Sequence, residues 1–226
     1  MKRIREIIAN IRHRYPNDDF FLNFEHSCRI SQGKRNCYRA YNSALMVLDD
    51  DSWLILKSKA LRHYFDHRNG QKKQGFFNQL NEAFAYRYLV TNGFDNVRFI
   101  KESKEKSPDI KFTGHDGQSY CEVKTLGISN DEINRRHITT VCDGSIHGNL
   151  SDEFLKKFCD AVNTAKRQIC AFGPNGLVYV IIKFDDIALD YYKNYRKQLT
   201  TFSDIHGFDD LFVKIGLLGN NEDMHN

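Results

Sequence analysis

Apolar residues recur at helical spacing at the very start of the chain. Isoleucine occupies four such positions, at Ile4, Ile7, Ile8 and Ile11. With lysine and arginine around them, this pattern predicts a basic amphipathic helix that ends before Tyr15-Pro16. Residues 20–74 alternate apolar and polar stretches without a clear period, so the pattern does not separate helix from strand there.

A second helix is predicted over residues 76–90, where Glu82 and Arg87 are the only charged side chains. Asn92-Gly93 provides the stop signal. So few charges indicate a largely buried helix. A carboxylate on such a helix needs a basic partner or a metal ion, and both possibilities stay open for Glu82 at this point.

Three short strands are predicted to follow. The first covers residues 97–100, the second begins at Pro108, and the third covers residues 119–124 after a glycine-containing turn. Strands of this length with short connections are typical of an antiparallel meander. We therefore expect neighbouring strands to bring Asp109 close to Glu122.

The order of elements continues with a helix and a strand. Residues 125–150 are polar and irregular, and Ser151 is a candidate N-cap for a helix with one apolar face. Residues 177–184 form an apolar run of the kind found in strands buried on both faces. The predicted order is α-β-β-β-α-β, an α/β fold.

The candidate chemistry lies on two of these strands. Side chains alternate across a sheet, so Glu122 and Lys124 should share one face and Asp109 should join them. Two carboxylates beside an ammonium suit a divalent cation and a phosphodiester. This points to nuclease chemistry.

Pro108-Asp109 followed by Glu122-Val123-Lys124 resembles the motif of the PD-(D/E)xK nuclease superfamily. The resemblance covers residues 76–185 and implies a restriction-endonuclease-like αβββαβ core. It implies a metal-dependent endonuclease that binds Mg²⁺, with Mn²⁺ as a substitute. The implied catalytic residues are Asp109, Glu122, Lys124 and Glu82, and the implied metal ligands are Asp109, Glu122, Val123 and Glu82. With the two-strand motif present, we favour the metal over the salt bridge for Glu82.

The resemblance also implies nucleic acid as partner, with DNA favoured over RNA. Candidate contacts are Arg135 and Arg136 in the long polar segment and Lys166, Arg167 and Gln168 on the following helix. Some members of the family carry a site-facing Gln or Lys where Gln168 stands, and a solvated helix surface explains this residue equally well. For Arg135 and Arg136, an exposed loop with solvated charges is the favoured interpretation. A homodimer or a partner protein is compatible with the same resemblance.

Composition and cysteine spacing bear on the compartment and on the partners of the protein. The chain has 226 residues, a net charge of +4 and six cysteines without C-x-x-C spacing. These features indicate free thiols and a cytoplasmic protein, and no apolar run is long enough to cross a membrane. The charge permits nucleic-acid binding without requiring it. The spacing of His63 and His67 could suit zinc, but no second ligand pair follows.

We expect residues 76–200 to form the nuclease-like core, preceded by a mainly helical extension over 1–75 of unknown role. Residues 201–226 are expected to form a C-terminal segment with a flexible tail. The main alternative function is a catalytically inactive module of the same fold that binds nucleic acid or assists assembly. A coincidental motif would instead leave Asp109, Glu122 and Lys124 far apart.

Overall fold

The computed structural model describes residues 1–67, 72–102, 106–127, 148–183 and 191–216. The chain divides into two compact units. The first comprises Met1–Lys101 and Ile110–His115, and the second comprises Glu102–Asp109 and Asp116–Asn226. Both units contain helices and strands among their described residues, and the class is α/β.

The first unit contains five helices and two strands among its described residues. Their bounds are α1 Lys2–Arg14, α2 Phe24–Ile30, α3 Gln32–Met46, α4 Asp50–Arg62, α5 Gln74–Thr91, β1 Asp95–Phe99 and β2 Ile110–Gly114. The described part of residues 1–75 is therefore mainly helical, as expected. Strands β1 and β2 pair antiparallel, which confirms the first step of the predicted meander.

Helices α1 and α5 confirm their sequence patterns. The four isoleucines of α1 are all buried, because their spacing places them on one face. Nine residues of α5 are buried and span its circumference, as the scarcity of charges predicts. Helices α2, α3 and α4 lie in the stretch where the pattern did not distinguish helix from strand.

The second unit contains three strands and two helices among its described residues. Their bounds are β3 Gly117–Leu126, α6 Asp152–Cys170, β4 Gly176–Ile182, α7 Tyr192–Ile205 and β5 Leu211–Ile215. Strand β4 lies between β3 and β5 and pairs parallel with both. Each parallel pair requires a crossover connection, and α6 and α7 lie in these connections.

The core of the second unit lies on one face of this parallel sheet. Four residues of α6 are buried there at helical spacing, Phe158, Val162, Ala165 and Ile169. Ser151 caps the helix, with its hydroxyl accepting from the Phe154 backbone N–H. Strand β4 is buried from Val178 to Ile182, which confirms a strand covered on both faces.

Gly176 allows α6, β3 and the start of β4 to approach one another closely. A Cβ atom at this position would lie 2.4 Å from the Ile169 side chain and 2.5 Å from the Tyr120 carbonyl. Both distances are shorter than carbon and oxygen atoms tolerate. Any larger residue would therefore push the C-terminal part of α6 away from β3.

Candidate active site

Glu122 and Lys124 lie on the same face of β3 and form an ion pair. Lys124 Nζ donates to Glu122 Oε1 at 2.6 Å. The Glu122 side chain is 6% exposed and the Lys124 side chain 23% exposed. The alternation of a strand places them together, and burial strengthens their attraction because water screens it poorly there.

Asp109 lies beside this pair, at the residue that precedes β2. Its backbone N–H donates to the Cys121 carbonyl at 3.1 Å. Its carboxylate Oδ2 accepts from the Val123 backbone N–H at 2.9 Å. The carboxylate is thus fixed alongside the peptide that joins Glu122 to Val123.

Gln168 on α6 completes the arrangement. Its side-chain Oε1 accepts from Lys124 Nζ at 2.8 Å. In the structure this residue gives the lysine a second acceptor, and its contact to nucleic acid stays a prediction. Because Glu122 and Gln168 lie on different elements, the ammonium is held from two directions.

The donor set suits a hard divalent cation. Asp109 and Glu122 provide carboxylate oxygens, and Val123 can offer only its backbone carbonyl. Glu122 already accepts a cationic group in a buried position. Within the described ranges, however, no group of three or more His, Cys, Asp or Glu side chains could hold a metal ion.

Glu82 on α5 is held by a lysine. Lys59 Nζ donates to its Oε1 at 2.9 Å and to its Oε2 at 2.8 Å. The side chains are 5% and 7% exposed for Lys59 and Glu82 respectively. The basic partner that a buried carboxylate requires is therefore present, whereas the metal role of Glu82 stays a prediction.

Lys59 is the residue of this pair that the sequence pattern did not reveal. It belongs to α4, where it lies three residues after Leu56 on the helix face that also buries Trp53 and Ala60. A lysine in register with a buried face needs an anionic partner. That register could have been read from the sequence if α4 had been recognised as a helix.

Lys166 and Arg167 both contact residues of the second unit. Lys166 Nζ is 3.4 Å from the Gly207 carbonyl and lies over the Phe208 ring. Arg167 donates along its own helix to the Asn163 carbonyl and to the Thr164 hydroxyl. Arg135 and Arg136 lie outside the described residues, as does the predicted tail from residue 217 onward.

Among the described residues, five cysteines form no disulfide: Cys28, Cys37, Cys121, Cys159 and Cys170. In the described parts of the chain, no helix has the length and apolar character needed to span a bilayer.

No protein-family model, no curated protein and no solved structure matches this chain. Function therefore has to be inferred from the geometry of the residues themselves.

Proposed function

We propose that the chain is a divalent-metal-dependent nuclease that hydrolyses phosphodiester bonds, with DNA favoured as substrate. One observation carries the proposal. Lys124 Nζ lies 2.6 Å from Glu122 Oε1, and the Asp109 carboxylate is bonded to the adjoining Val123 backbone. A coincidental motif would not be expected to bring these residues together.

Asp109 and Glu122 are the proposed ligands of Mg²⁺, with the Val123 carbonyl as a third donor and Mn²⁺ as a substitute. Their oxygen chemistry fits such an ion. When bound, the ion would neutralise charge on the scissile phosphate and acidify an attacking water. The protein contributes by holding the two carboxylates in place before the ion arrives, through the β3 backbone and the bond from Val123 N–H.

Lys124 has one of two roles in this proposal. Its ammonium either orients the attacking water or offers positive charge to the phosphate. Gln168 supports either role, because its Oε1 fixes the ammonium at 2.8 Å. Glu82 enters the proposal through the resemblance alone, since its carboxylate accepts both hydrogen bonds from Lys59.

A second candidate is a nucleic-acid-binding or assembly module that does not cleave. One observation favours it: the Lys124 ammonium donates to Glu122 Oε1 at 2.6 Å, so a cation of the protein itself neutralises that carboxylate. A cytoplasmic location fits both candidates, because cysteines without a disulfide among the described residues suit a reducing compartment.

A cleavage assay separates the two candidates. Plasmid, linear duplex, single-stranded DNA and RNA would be incubated with the full chain and Mg²⁺, Mn²⁺ or EDTA. We expect metal-dependent cutting of DNA that Lys124→Met abolishes. Lys156→Met is the matched control, since it removes an exposed ammonium from α6. Nucleic-acid binding without cutting under every condition would support the binding module.

A further inference from the structure

Positive charge is concentrated at the start of the chain. Residues 1–46 contain nine lysine or arginine residues and four aspartate or glutamate residues, a net charge of +5, whereas the whole chain has +4. The remaining residues are therefore slightly acidic as a group. Helices α1, α2 and α3 lie within these 46 residues, so the first unit carries the positive field of the protein.

Several of these cations stabilise the fold. Arg12 donates to the carbonyls of Phe21 and Leu22, and Arg5 pairs with Glu25. A guanidinium whose N–H groups donate to backbone carbonyls uses those donors to hold the fold together. Arg39 makes no hydrogen bond or ion pair with any residue in the described ranges, and its side chain is exposed on α3.

Helix α3 has two opposite faces. Its buried face consists of Tyr41, Ala44 and Leu45. Its exposed face carries a polar stripe at spacings of three and four residues, Gln32, Asn36, Arg39 and Ser43, here called the α3 stripe. The helix contains no acidic residue, so no side chain of α3 repels an anionic partner by its charge.

The stripe is held on a fixed support. Arg35 donates to the carbonyls of Cys28 and Arg29 at 3.0 and 3.1 Å, which ties the start of α3 to the end of α2. Ser31, the single residue between the two helices, caps α3 by accepting from the Lys34 N–H at 3.2 Å. These hydrogen bonds fix the orientation of α3 relative to α2, so the exposed face of α3 is held in place before a partner binds.

A neighbouring helix adds a second cation to the same surface. Arg87 on α5 donates to the Ser43 hydroxyl at 3.3 Å and lies 5.5 Å from the centre of the Phe84 ring. At the other end of the stripe, Gln32 donates to the Asn36 side chain at 2.6 Å. Arginines and amides thus line one exposed face.

We propose that the α3 stripe and Arg87 bind duplex DNA, with α3 lying in the major groove. Arginine and asparagine or glutamine are the residue types that read guanine and adenine there, while arginine also contacts phosphate. A helix about 10–12 Å across fits the B-form major groove, which is about 12 Å wide. The deep, narrow major groove of A-form RNA does not admit it.

This inference goes beyond the proposed cleavage and does not depend on it. The residues belong to the first unit, whereas Asp109, Glu122, Lys124 and Gln168 belong to the second. Binding is therefore measurable in EDTA, where a metal-dependent reaction cannot occur. A full chain that binds DNA but never cuts it would contradict the proposed nuclease and leave this surface supported.

The test compares two charge reversals on one helix, Arg39→Glu and Lys34→Glu. Both residues are exposed, but their five-residue separation turns them about 140° apart around the helix axis, so only Arg39 belongs to the stripe. Fluorescence anisotropy would follow the full chain binding a labelled DNA duplex of two helical turns in EDTA, with circular dichroism confirming that each variant folds.

We expect Arg39→Glu to weaken duplex binding at least about tenfold, and Lys34→Glu by less than about threefold. Arg39→Gln should also reduce the slope of log affinity against log salt by about 0.9. Equal losses for both reversals would overturn the proposal, because general charge would then suffice. Tighter binding to single strands or to duplex RNA would overturn it as well, and so would no binding.

Discussion

Lys124 on β3 and Gln168 on α6 are joined by a hydrogen bond of 2.8 Å between Nζ and Oε1. The same ammonium donates to Glu122 Oε1 at 2.6 Å. If Glu122 binds a metal ion, Gln168 keeps the lysine in place while the carboxylate is engaged. Gln168 is then a positioning residue that acts through Lys124, and it need not contact the substrate.

We expect Gln168→Leu to lower kcat for DNA cleavage by about tenfold and to leave KM within about twofold, because positioning affects the chemical step more than binding. Gln168→Glu retains an acceptor and should recover most of the activity. Gln118→Leu is the matched control, since Gln118 is exposed on β3 and bonds only to Tyr120 among the described residues. A rise in KM with unchanged kcat would instead make Gln168 a substrate contact, as the sequence suggested.

The ion pair on β3 predicts competition between Lys124 and a divalent cation for Glu122. Lys124→Met removes the competing ammonium and should lower the stability of the metal-free protein by about 2–3 kcal/mol, since a buried carboxylate loses a cationic hydrogen-bond donor. Added Mg²⁺ should then raise the melting temperature of Lys124→Met more than that of the unmodified protein. Each tenfold gain in affinity adds about 1.4 kcal/mol at saturating metal.

Thermal unfolding with and without Mg²⁺ measures this effect without any cleavage assay. Glu122→Gln should lose the response to Mg²⁺, because an amide is a weaker ligand than a carboxylate. Lys156→Met on α6 should respond like the unmodified protein. An identical response of Lys124→Met and the unmodified protein to Mg²⁺ would contradict competition at Glu122.

The long amphipathic and buried elements could be predicted from the sequence. Helix α6 has four buried residues at helical spacing and a capping serine, so its period identifies it. Strand β4 has a continuous apolar run, which is typical of a strand buried on both faces. Helix α2 is only seven residues long, and α7 buries three residues, one of them a serine. Such short or polar patterns carry too little periodicity to decide between helix and strand.

In the candidate site, the features that depend on local sequence could also be predicted. Glu122 and Lys124 share a face because alternation in a strand is local, and the motif located Asp109. The bond between Lys124 and Gln168 depends on how α6 packs over β3, which no local period specifies. The partner of Glu82 was not predicted because Lys59 lies in the stretch where α4 was not recognised.

Asp18 should make the free energy of unfolding of the first unit depend on pH. Burial by itself raises the pKa of this carboxyl, but hydrogen bonds from Lys73 and Tyr64 outweigh burial and hold the pKa below its ordinary value. Lys73 Nζ lies 2.5 Å from Oδ2, and the Tyr64 hydroxyl lies 2.6 Å from Oδ1. A lowered pKa in the folded state stabilises the protein above the ordinary pKa, and this contribution disappears as pH falls through the lowered value.

We therefore expect Asp18→Asn to be less stable than the unmodified protein by about 1–2 kcal/mol near neutral pH. The difference should shrink as the solution is acidified below about pH 4. Urea unfolding across this range measures it. Asp19→Asn, at the exposed neighbouring position, is the matched control. A difference that stays constant with pH would show that the Asp18 charge is not responsible.

Lys59 and Glu82 form a buried pair whose two members should depend on each other. Lys59 Nζ contacts both carboxylate oxygens, at 2.9 and 2.8 Å, so removing either residue takes an opposite charge away from a buried charged group. Replacing the pair together removes both charges at once. Non-additivity of the two substitutions therefore distinguishes a structural ion pair from a carboxylate that serves a metal.

We expect Lys59→Met and Glu82→Gln each to lower the free energy of unfolding by about 3 kcal/mol, and the double variant to lose clearly less than the sum. Urea unfolding of the four proteins measures the coupling, which should exceed about 1 kcal/mol. The exposed pair of Arg5 and Glu25 is the control, and water should leave it with weaker coupling. If Glu82→Gln instead keeps its stability but loses the response to Mg²⁺, Glu82 serves the metal, as the resemblance implied.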